Sequence, residues 1–552
     1  MTAFGIDLGT TNSCIAYVDD AGRPVIVRNA IAENLTPSVV YFERRDSIVV
    51  GSAAKNAALL APDLAVQLVK RQMGKKGVEY TFHGTRYTPE TISALILKEL
   101  AAAAHRQLGR PVRDVVITVP AYFGVAEREA TRQAGQIADL NVLDVLAEPV
   151  AAALSHQERH PAKRVRHLLV YDLGGGTFDT TVIRVDGDEV NVICTGGDKE
   201  LGGADWDARV RDYLSDAFTE RHPRLDPSAD ETFMQDLWIK AEQLKQELSS
   251  AKTRRRTLRF GGAAVQVEIS RQRFQELTAD LLDRTLKITE ETIHKAARKG
   301  VSQFDEVILV GGMTRMPAVA ARLEELLDAG GWRPAEGPGL WRHEPDLAVA
   351  RGAALFALVK QIQQDGSPEQ DGPHQQAEQI ADRLGISAAQ AEAMRARRVT
   401  TVVPRGLGMR VIDHGDPLAT TDPSRARTMI IHLLPADTPL PADSGSVLFH
   451  TALDNQPIIE IEVWEQTEQG SSEELADNTK IGRGRLRGLP PKLPKGTSIQ
   501  VTFSMNETGL LTVYAVEPGS GREVRFDLQI GGMDRAAIEK AKTAVARHDI
   551  SS

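Results

Sequence analysis

Two segments of this 552-residue chain repeat one pattern: FGIDLGTTNS at 4–13 and LLVYDLGGGTFDTTVI at 168–183 each read apolar strand, then Asp, Leu, Gly, then Gly or Thr. Glycine lets such a turn bring backbone N–H groups against a phosphate, and threonine hydroxyls add donors. The preceding aspartate, Asp7 or Asp172, can hold a water of a magnesium ion. One Asp-Leu-Gly turn is what many tight strand ends show, whereas two in matching strand context describe a clamp that grips a triphosphate from both sides. Competing phosphate chemistries are missing from the sequence, which has neither Gly-Lys-Ser nor Gly-Lys-Thr, nor a Gly-x-Gly-x-x-Gly fingerprint.

A third glycine turn follows an apolar strand in EVILVGGMTRMP at 306–317, where Gly311 and Gly312 would let a flat base approach the backbone and Arg315 could stack on it. On the helical pattern from Phe233 to Leu248, the residues Glu242, Lys245 and Ser249 are spaced three and four apart, so they share a face able to converge on a ribose or base. Spacing alone equally describes a solvated helix face. Lys70 stands in a basic cluster with Arg71, Lys75 and Lys76, which on charge alone reads as exposed surface.

The elements that must position these residues follow from the pattern of the chain. Up to about residue 360, β-branched runs such as VVITVP at 115–120 alternate with helical stretches such as Ala126 to Ala138, an α/β arrangement. Residues 361–377, QIQQDGSPEQDGPHQQA, hold almost nothing to bury and read as a solvated linker, with a helical segment following from Ala377 to Arg398. Alternation at Ile459, Ile461 and Val463, at Ile499, Val501 and Phe503, and at Val524, Phe526, Leu528 and Ile530, with a turn at 506–509, makes 401–533 an antiparallel β-sandwich. Asp534 to His548 reads as one short helix. The expected units are therefore 1–360, 361–400, 401–533 and 534–552. Charged residues are 26% and the net charge is −9, which disfavours a phosphate-tracking basic surface and hence nucleic acid. Two cysteines, Cys14 and Cys194, are too few for a disulfide framework or a zinc cage, and no export signal or membrane span is visible, which together point to the cytoplasm.

In their order and spacing, GIDLGTTNS, VITVPAYF at 116–123, AEPVAAAL at 147–154, YDLGGGTFD at 171–179, LGG at 201–203 and ILVGGMTRMP at 308–317 resemble the DnaK-type chaperones, the seventy-kilodalton heat-shock family. The resemblance covers 4–360 closely and 404–545 more loosely. It implies an α/β fold: a two-lobed actin-like ATPase domain followed by an antiparallel β-sandwich. It further implies that Asp7, Asp172 and Asp179 organise magnesium and potassium, and that Gly9, Thr10, Thr11, Asn12, Gly174, Gly175, Gly176 and Thr177 cradle the phosphates. Lys70 and Glu148 match the family's catalytic pair, acting with Asp172, Thr177 and Asp179. Gly202, Gly203, Glu242, Lys245, Ser249, Gly311, Gly312, Arg315 and Asp346 match the wall that holds ATP or ADP. Pro120 and Arg128 match the pair that relays nucleotide state to the sandwich. There, Met409, Ile412, Phe449, Ala452, Ile459 and Ile461 match the channel for extended apolar peptide, although composition alone makes them ordinary core. A buried leucine anchor supplies only about 1.5–3 kcal/mol, and micromolar affinity needs about 8.2, so backbone hydrogen bonds must contribute.

The expected activity is that of a cytoplasmic, stress-response chaperone with weak ATP hydrolysis, whose partners are unfolded polypeptides and a nucleotide-exchange factor. A nucleotide-gated module for one dedicated partner, and a sugar-kinase-like phosphotransferase of the same superfold, are the other readings. Several residues depart from the family. The linker ARRVTTVVPRGLGM at 396–409 lacks the family's aliphatic run, so weak coupling is expected. Asp144 and Ala147 replace the family's usual docking residues for a J-domain co-chaperone, and charge reversal there is expected to disfavour an ordinary one. Gly124 replaces a common Asn. IADRLGIS at 380–387 resembles the first turn of a helix-turn-helix, with a surface helical hairpin the better reading. The chain stops at Ser552 where relatives continue into a helical lid, so an open peptide site is expected.

Overall fold

The computed structural model describes residues 3–161, 164–333, 339–365, 381, 387–467, 471–527, 533 and 535–551. The internal repeat is a repeat of sheets. In the first lobe, Phe4–Asp7 lies between an antiparallel hairpin partner, Asn12–Val18, and a parallel neighbour, Asp114–Val119. In the second, Arg166–Leu173 lies between its hairpin partner Phe178–Asp186 and the parallel strand Glu306–Val310. Each Asp-Leu-Gly turn therefore sits at the end of a central strand buried on both faces, with Phe4, Ile6, Leu169 and Tyr171 fully covered.

The lobes meet where helix Glu148–Arg159 crosses helix Ala348–Asp365. Small residues make that crossing close: a Cβ on Gly352 would fall 1.7 Å from the Ala151 carbonyl oxygen, and one on Gly5 would fall 2.0 Å from the Ala354 nitrogen. The alanine runs at 151–153 and 353–354 are the sequence's answer to that approach. Helix Ala348–Asp365 continues past residue 360, and Ile362 is fully buried, so the large unit does not end where polar composition begins. Residues 366–380 and most of IADRLGIS lie outside the described residues. Helix Ala388–Ala396 packs Ala391 and Met394 on Leu355, Leu358, Val359 and Ile362; of the helical segment expected over 377–398, residues 377–380 and 382–386 lie outside the described residues, and Arg398 begins a strand.

The linker is less polar in place than in composition. Arg398–Thr400 adds a parallel strand to the edge strand Glu189–Asp198 of the second lobe. Val402 is buried with the lobe residues and Val403 with the sandwich residues. Val399, Val402 and Val403, three valines within five positions, thus pack against the lobe and the sandwich although the family's aliphatic run is missing.

The sandwich has one sheet ordered Thr428–Leu434, Leu407–Ile412, Ile458–Gln466, Asn478–Arg487, and another built on Ser498–Met505, Leu511–Glu517 and Arg522–Asp527. Inward alternation of Ile461, Val463, Ile499, Val501, Phe503, Leu511 and Val513 fills the space between them. Leu528 and Ile530, read as part of the last alternation, lie outside the described residues. After the sandwich the chain returns to the first lobe: helix Arg535–Ala546 packs on it, and Asp549–Ser551 pairs in parallel with Ser47–Val50. That terminal strand lies just beyond the segment expected to be helix, Asp534 to His548. No helix among the described residues is long and apolar enough to cross a membrane.

Candidate functional site

The two hairpins face each other across a cleft of about 420 Å³, lined by Asp7, Gly9, Thr10, Thr11, Asn12, Lys70, Glu148, Asp172, Gly174, Gly175, Thr177, Glu242, Lys245, Gly311, Gly312, Arg315 and Asp346. Their approach is intimate. A Cβ on Gly175 would lie 2.1 Å from the Thr11 hydroxyl, and one on Gly176 would lie 2.3 Å from the Thr10 methyl. Gly311 has φ +84°, a region that favours glycine, and its Cβ position is filled by the Leu173 carbonyl. Of the expected wall, Gly176, Gly202 and Gly203 stand behind the lining, with Gly202 packed on Gly176. Ser249 also stands back, its hydroxyl donating to the Lys245 carbonyl at 3.4 Å. Glu242 is engaged across the cleft by Lys55 at 2.5 Å, an ion pair that joins the lobes at their outer edge.

At the floor, Lys70 donates to Glu148 at 2.5 Å, both buried, so the lysine read as exposed surface from its neighbours is 4% exposed. It lies on a single 3-10 turn, Val69–Gln72, which the tertiary fold pushes inward. Three further carboxyl groups crowd the pair. Burial, and then the Glu148 charge, push Asp7 up to about 7 and Asp179 up to about 8, and push Asp172 well above the usual carboxylate range. Asp179 accepts from the Tyr122 backbone N–H at 3.0 Å and sits behind the cleft wall. A floor with this much negative charge and one lysine is short of positive charge, which suits a hard cation with oxygen ligands. Among the described residues, no three His, Cys, Asp or Glu side chains come close enough to ligate one ion directly.

On the wall expected to face the base, Lys245 donates to the Gly203 carbonyl at 3.0 Å and to Asp207 at 2.8 Å. Burial raises Asp207 to about 6 against the pull of Lys245, and its Oδ1 has no hydrogen-bond partner. Arg315 is held at the rim by Asp346 through two contacts of 2.6 and 3.0 Å, with its planar group still accessible. We expect Arg315→Ala to weaken ATP and ADP alike by about three- to tenfold, the range of one cation–π contact. Calorimetric titration with each nucleotide checks this, and equal affinities before and after would remove Arg315 from the base site.

Several residues that join the site to the sandwich escaped the sequence reading. Arg405 is buried at the domain junction, within 3.3 Å of Glu127 and 3.5 Å of Glu465, and donates to the Tyr122 carbonyl at 3.1 Å. Glu465 accepts from the Val125 N–H at 2.8 Å, and the Tyr122 hydroxyl donates to the Thr467 carbonyl at 3.1 Å. This explains Gly124: a Cβ there would meet the Glu465 carboxylate at 2.3 Å. Arg128 is half-buried and donates to the carbonyls of Phe123 and Val145. Asp144, expected as an exposed charge, is buried and paired with Lys360 at 2.9 Å, so it presents no reversed charge to a partner. In the sandwich, Met409 and Ile461 point into the core, while Ile412, Phe449, Ala452 and Ile459 are half-buried. The apolar side chains left most open on or beside the same strands are Leu448, Leu453, Ile458 and Ile431, at 56, 50, 45 and 39% exposure. Their signal in the sequence was the out-of-phase position beside each inward residue.

The fold and cleft define a two-lobed, actin-like nucleotide-binding unit joined to a β-sandwich. The family model for the Hsp70 protein matches residues 3–368 and 426–548, and the chain belongs to the Hsp70 family. Members of that family are ATP-dependent chaperones that bind ATP or ADP with Mg²⁺, hydrolyse ATP and hold unfolded polypeptides. The residues present fit such a nucleotide: the cleft has donor turns on two sides, an unpartnered buried Asp207 oxygen, and a floor deficient in positive charge.

Proposed function

We propose that this chain binds ATP between its two hairpins, hydrolyses it weakly, and uses the nucleotide state to regulate binding of extended apolar peptide by the sandwich. The observation that carries the reading is the buried Lys70–Glu148 pair on the floor of a cleft walled by both hairpins. Lys70 offsets charge developing on the outermost phosphate and the attacking water, Glu148 holds Lys70 and orients water, and Thr177 donates beside the same phosphate. Magnesium, when bound, would neutralise charge at the phosphates; Asp7 and Asp172 would hold it, and Asp179 with them would hold a potassium ion. Residues 1–365 form the ATPase unit, 366–400 the linker, 401–533 the peptide unit and 534–552 the tail.

Coupling runs through contacts that exist only when the sandwich is docked: Arg405 and Glu465 against Tyr122, Val125 and Glu127, with Asp179 holding the other side of Tyr122. Peptide would meet the sandwich near Leu448, Leu453 and Ile458 with Phe449 and Ile459, and the described tail packs on the first lobe instead of over this face. Unfolded polypeptide and a nucleotide-exchange factor are the proposed partners, in the cytoplasm and under stress. Ala147 still disfavours an ordinary J-domain partner, whereas Asp144, buried against Lys360, presents no reversed charge to it.

The deciding experiment is anisotropy of a labelled apolar peptide titrated with the chain in ATP and in ADP. We expect affinities that differ by about fivefold or more, the lower bound of ordinary coupling. Equal affinities would overturn the coupling, and binding restricted to one peptide of a diverse set would favour a dedicated module.

A further inference from the structure

We infer that Arg71 is a positioning residue for hydrolysis, a cross-lobe clasp that fixes the second phosphate turn against the turn bearing Lys70. This rests on the reading of Lys70 given above. Arg71 follows Lys70 on the 3-10 turn Val69–Gln72 of the first lobe, but its guanidinium ends in the second. Its Nε donates to the Gly176 carbonyl at 2.9 Å, and its two terminal nitrogens fork onto Asp205 at 3.2 and 2.5 Å. Asp205 is itself fixed, accepting from the Gly202 N–H at 2.8 Å at the start of helix Gly203–Arg221.

The bond to Gly176 completes a set. The Gly174 carbonyl accepts from Gly203 N–H at 2.9 Å, and the Gly175 carbonyl accepts from Ala204 N–H at 2.8 Å. Those two are tied within the second lobe; the third carbonyl, Gly176, is tied by Arg71 from the first. Because a peptide unit is planar and trans, drawing those three carbonyls back turns the N–H groups of Gly175, Gly176 and Thr177 to the opposite side. Gly175 and Thr177 line the cleft, so their N–H groups are set for phosphate oxygens. Arg71 therefore orients the Gly176–Thr177 peptide and, as the neighbour of Lys70, sets the distance between the lysine and that peptide. Side-chain exposures of 15% for Arg71 and 28% for Asp205 keep the fork largely out of solvent screening. A lysine cannot replace it, since one ammonium lacks the planar fork that reaches a carboxylate and a carbonyl at once.

The test compares single-turnover phosphate release, nucleotide affinity and thermal midpoint for Lys70→Ala, Arg71→Ala, Arg71→Lys and Asp205→Asn in the full chain. We expect Arg71→Ala to slow release about tenfold to a hundredfold, the cost of a misplacement near 1 Å. Affinity for ATP and ADP should stay within about threefold, as for an interaction felt mainly in the transition state. Arg71→Lys should fall between wild type and alanine. Asp205→Asn, which keeps the shape of the anchor, should slow release in the same direction, and combining it with Arg71→Ala should add little, as for one shared unit. Wild-type release by Arg71→Ala beside a slow Lys70→Ala overturns the inference alone. So does a loss of affinity that matches the loss of rate, or a double variant whose effects simply add. Wild-type release by Lys70→Ala overturns the underlying reading of the lysine, and with it the route through Lys70.

Discussion

Replacing Lys70 by alanine should lower the rate of phosphate release by about a hundred- to a thousandfold while leaving nucleotide binding measurable. That is the loss seen when one preorganised donor to developing negative charge is removed from a water-excluded site. Lys70 meets both conditions, being buried and held by Glu148 at 2.5 Å. It also lowers the protonation tendency of Asp7, Asp172 and Asp179, which burial and the Glu148 charge drive upward. Without the ammonium, Glu148 stays buried with no opposite charge, and all three carboxyl groups shift further up. The variant's floor therefore holds its protons to a still higher pH than the wild-type floor, where carboxylates are needed to hold waters. Single-turnover phosphate release with calorimetric nucleotide titration checks the claim. Undiminished release sinks the role of Lys70, and loss of binding in proportion to rate would make the lysine a general affinity contact.

The parts of the site that could be read in the sequence are those whose geometry is local. The hairpins at 4–13 and 168–183 declare themselves because strand, aspartate and glycine turn are contiguous, and the sheets repeat as the text repeats. Lys70 is different. Its neighbours Arg71, Lys75 and Lys76 spell a solvated patch, and only the tertiary fold turns Lys70 onto the cleft floor, so resemblance and not charge pattern pointed to it. Arg405 had no local signal at all, since the groups that compensate its burial, Glu127 and Glu465, come from two other elements. Composition misled in the linker for the same reason. Gln361 looks like solvated chain, yet its amide reaches Asp114 at 3.0 Å and the adjacent Ile362 is fully buried. The exposed charge expected at Asp144 failed because Lys360, far away in sequence, neutralises it. Pairing partners hundreds of residues distant are set by topology, which periodicity does not carry.

Removing residues 535–551 should destabilise the first lobe, although this segment follows the sandwich in the chain and reads as an appendage. Val545 is 1% exposed and belongs to the same core as Phe4, Ile6 and Ile15, with Ile538, Ala541 and Ile550 packed around it. Burying one such valine contributes about 1.5–3 kcal/mol. Polar contacts fix the approach: the Lys98 ammonium donates to the Val545 carbonyl at 3.2 Å, and Tyr87 and His548 share a hydrogen bond of 3.2 Å. The pair Lys542–Asp139, at 2.6 Å but largely solvent-accessible, adds little. Strand Asp549–Ser551 covers the edge of Ser47–Val50, so truncation would also uncover a row of backbone donors and acceptors beside Ile48 and Val50, an edge prone to pairing with another chain. We therefore expect the truncated chain to lose about 2–4 kcal/mol, to melt several degrees lower, and to self-associate on warming. A peptide of residues 535–551 added in trans should restore part of the loss, because binding to the folded lobe stabilises it by mass action. Val545→Asp in the intact chain should reproduce the destabilisation through a buried unpaired charge while leaving the strand residues in the sequence. Calorimetry and light scattering decide the matter. An unchanged melting temperature, with the truncated chain monomeric throughout, would mean that Val545 and the strand rest on the lobe without contributing to its stability.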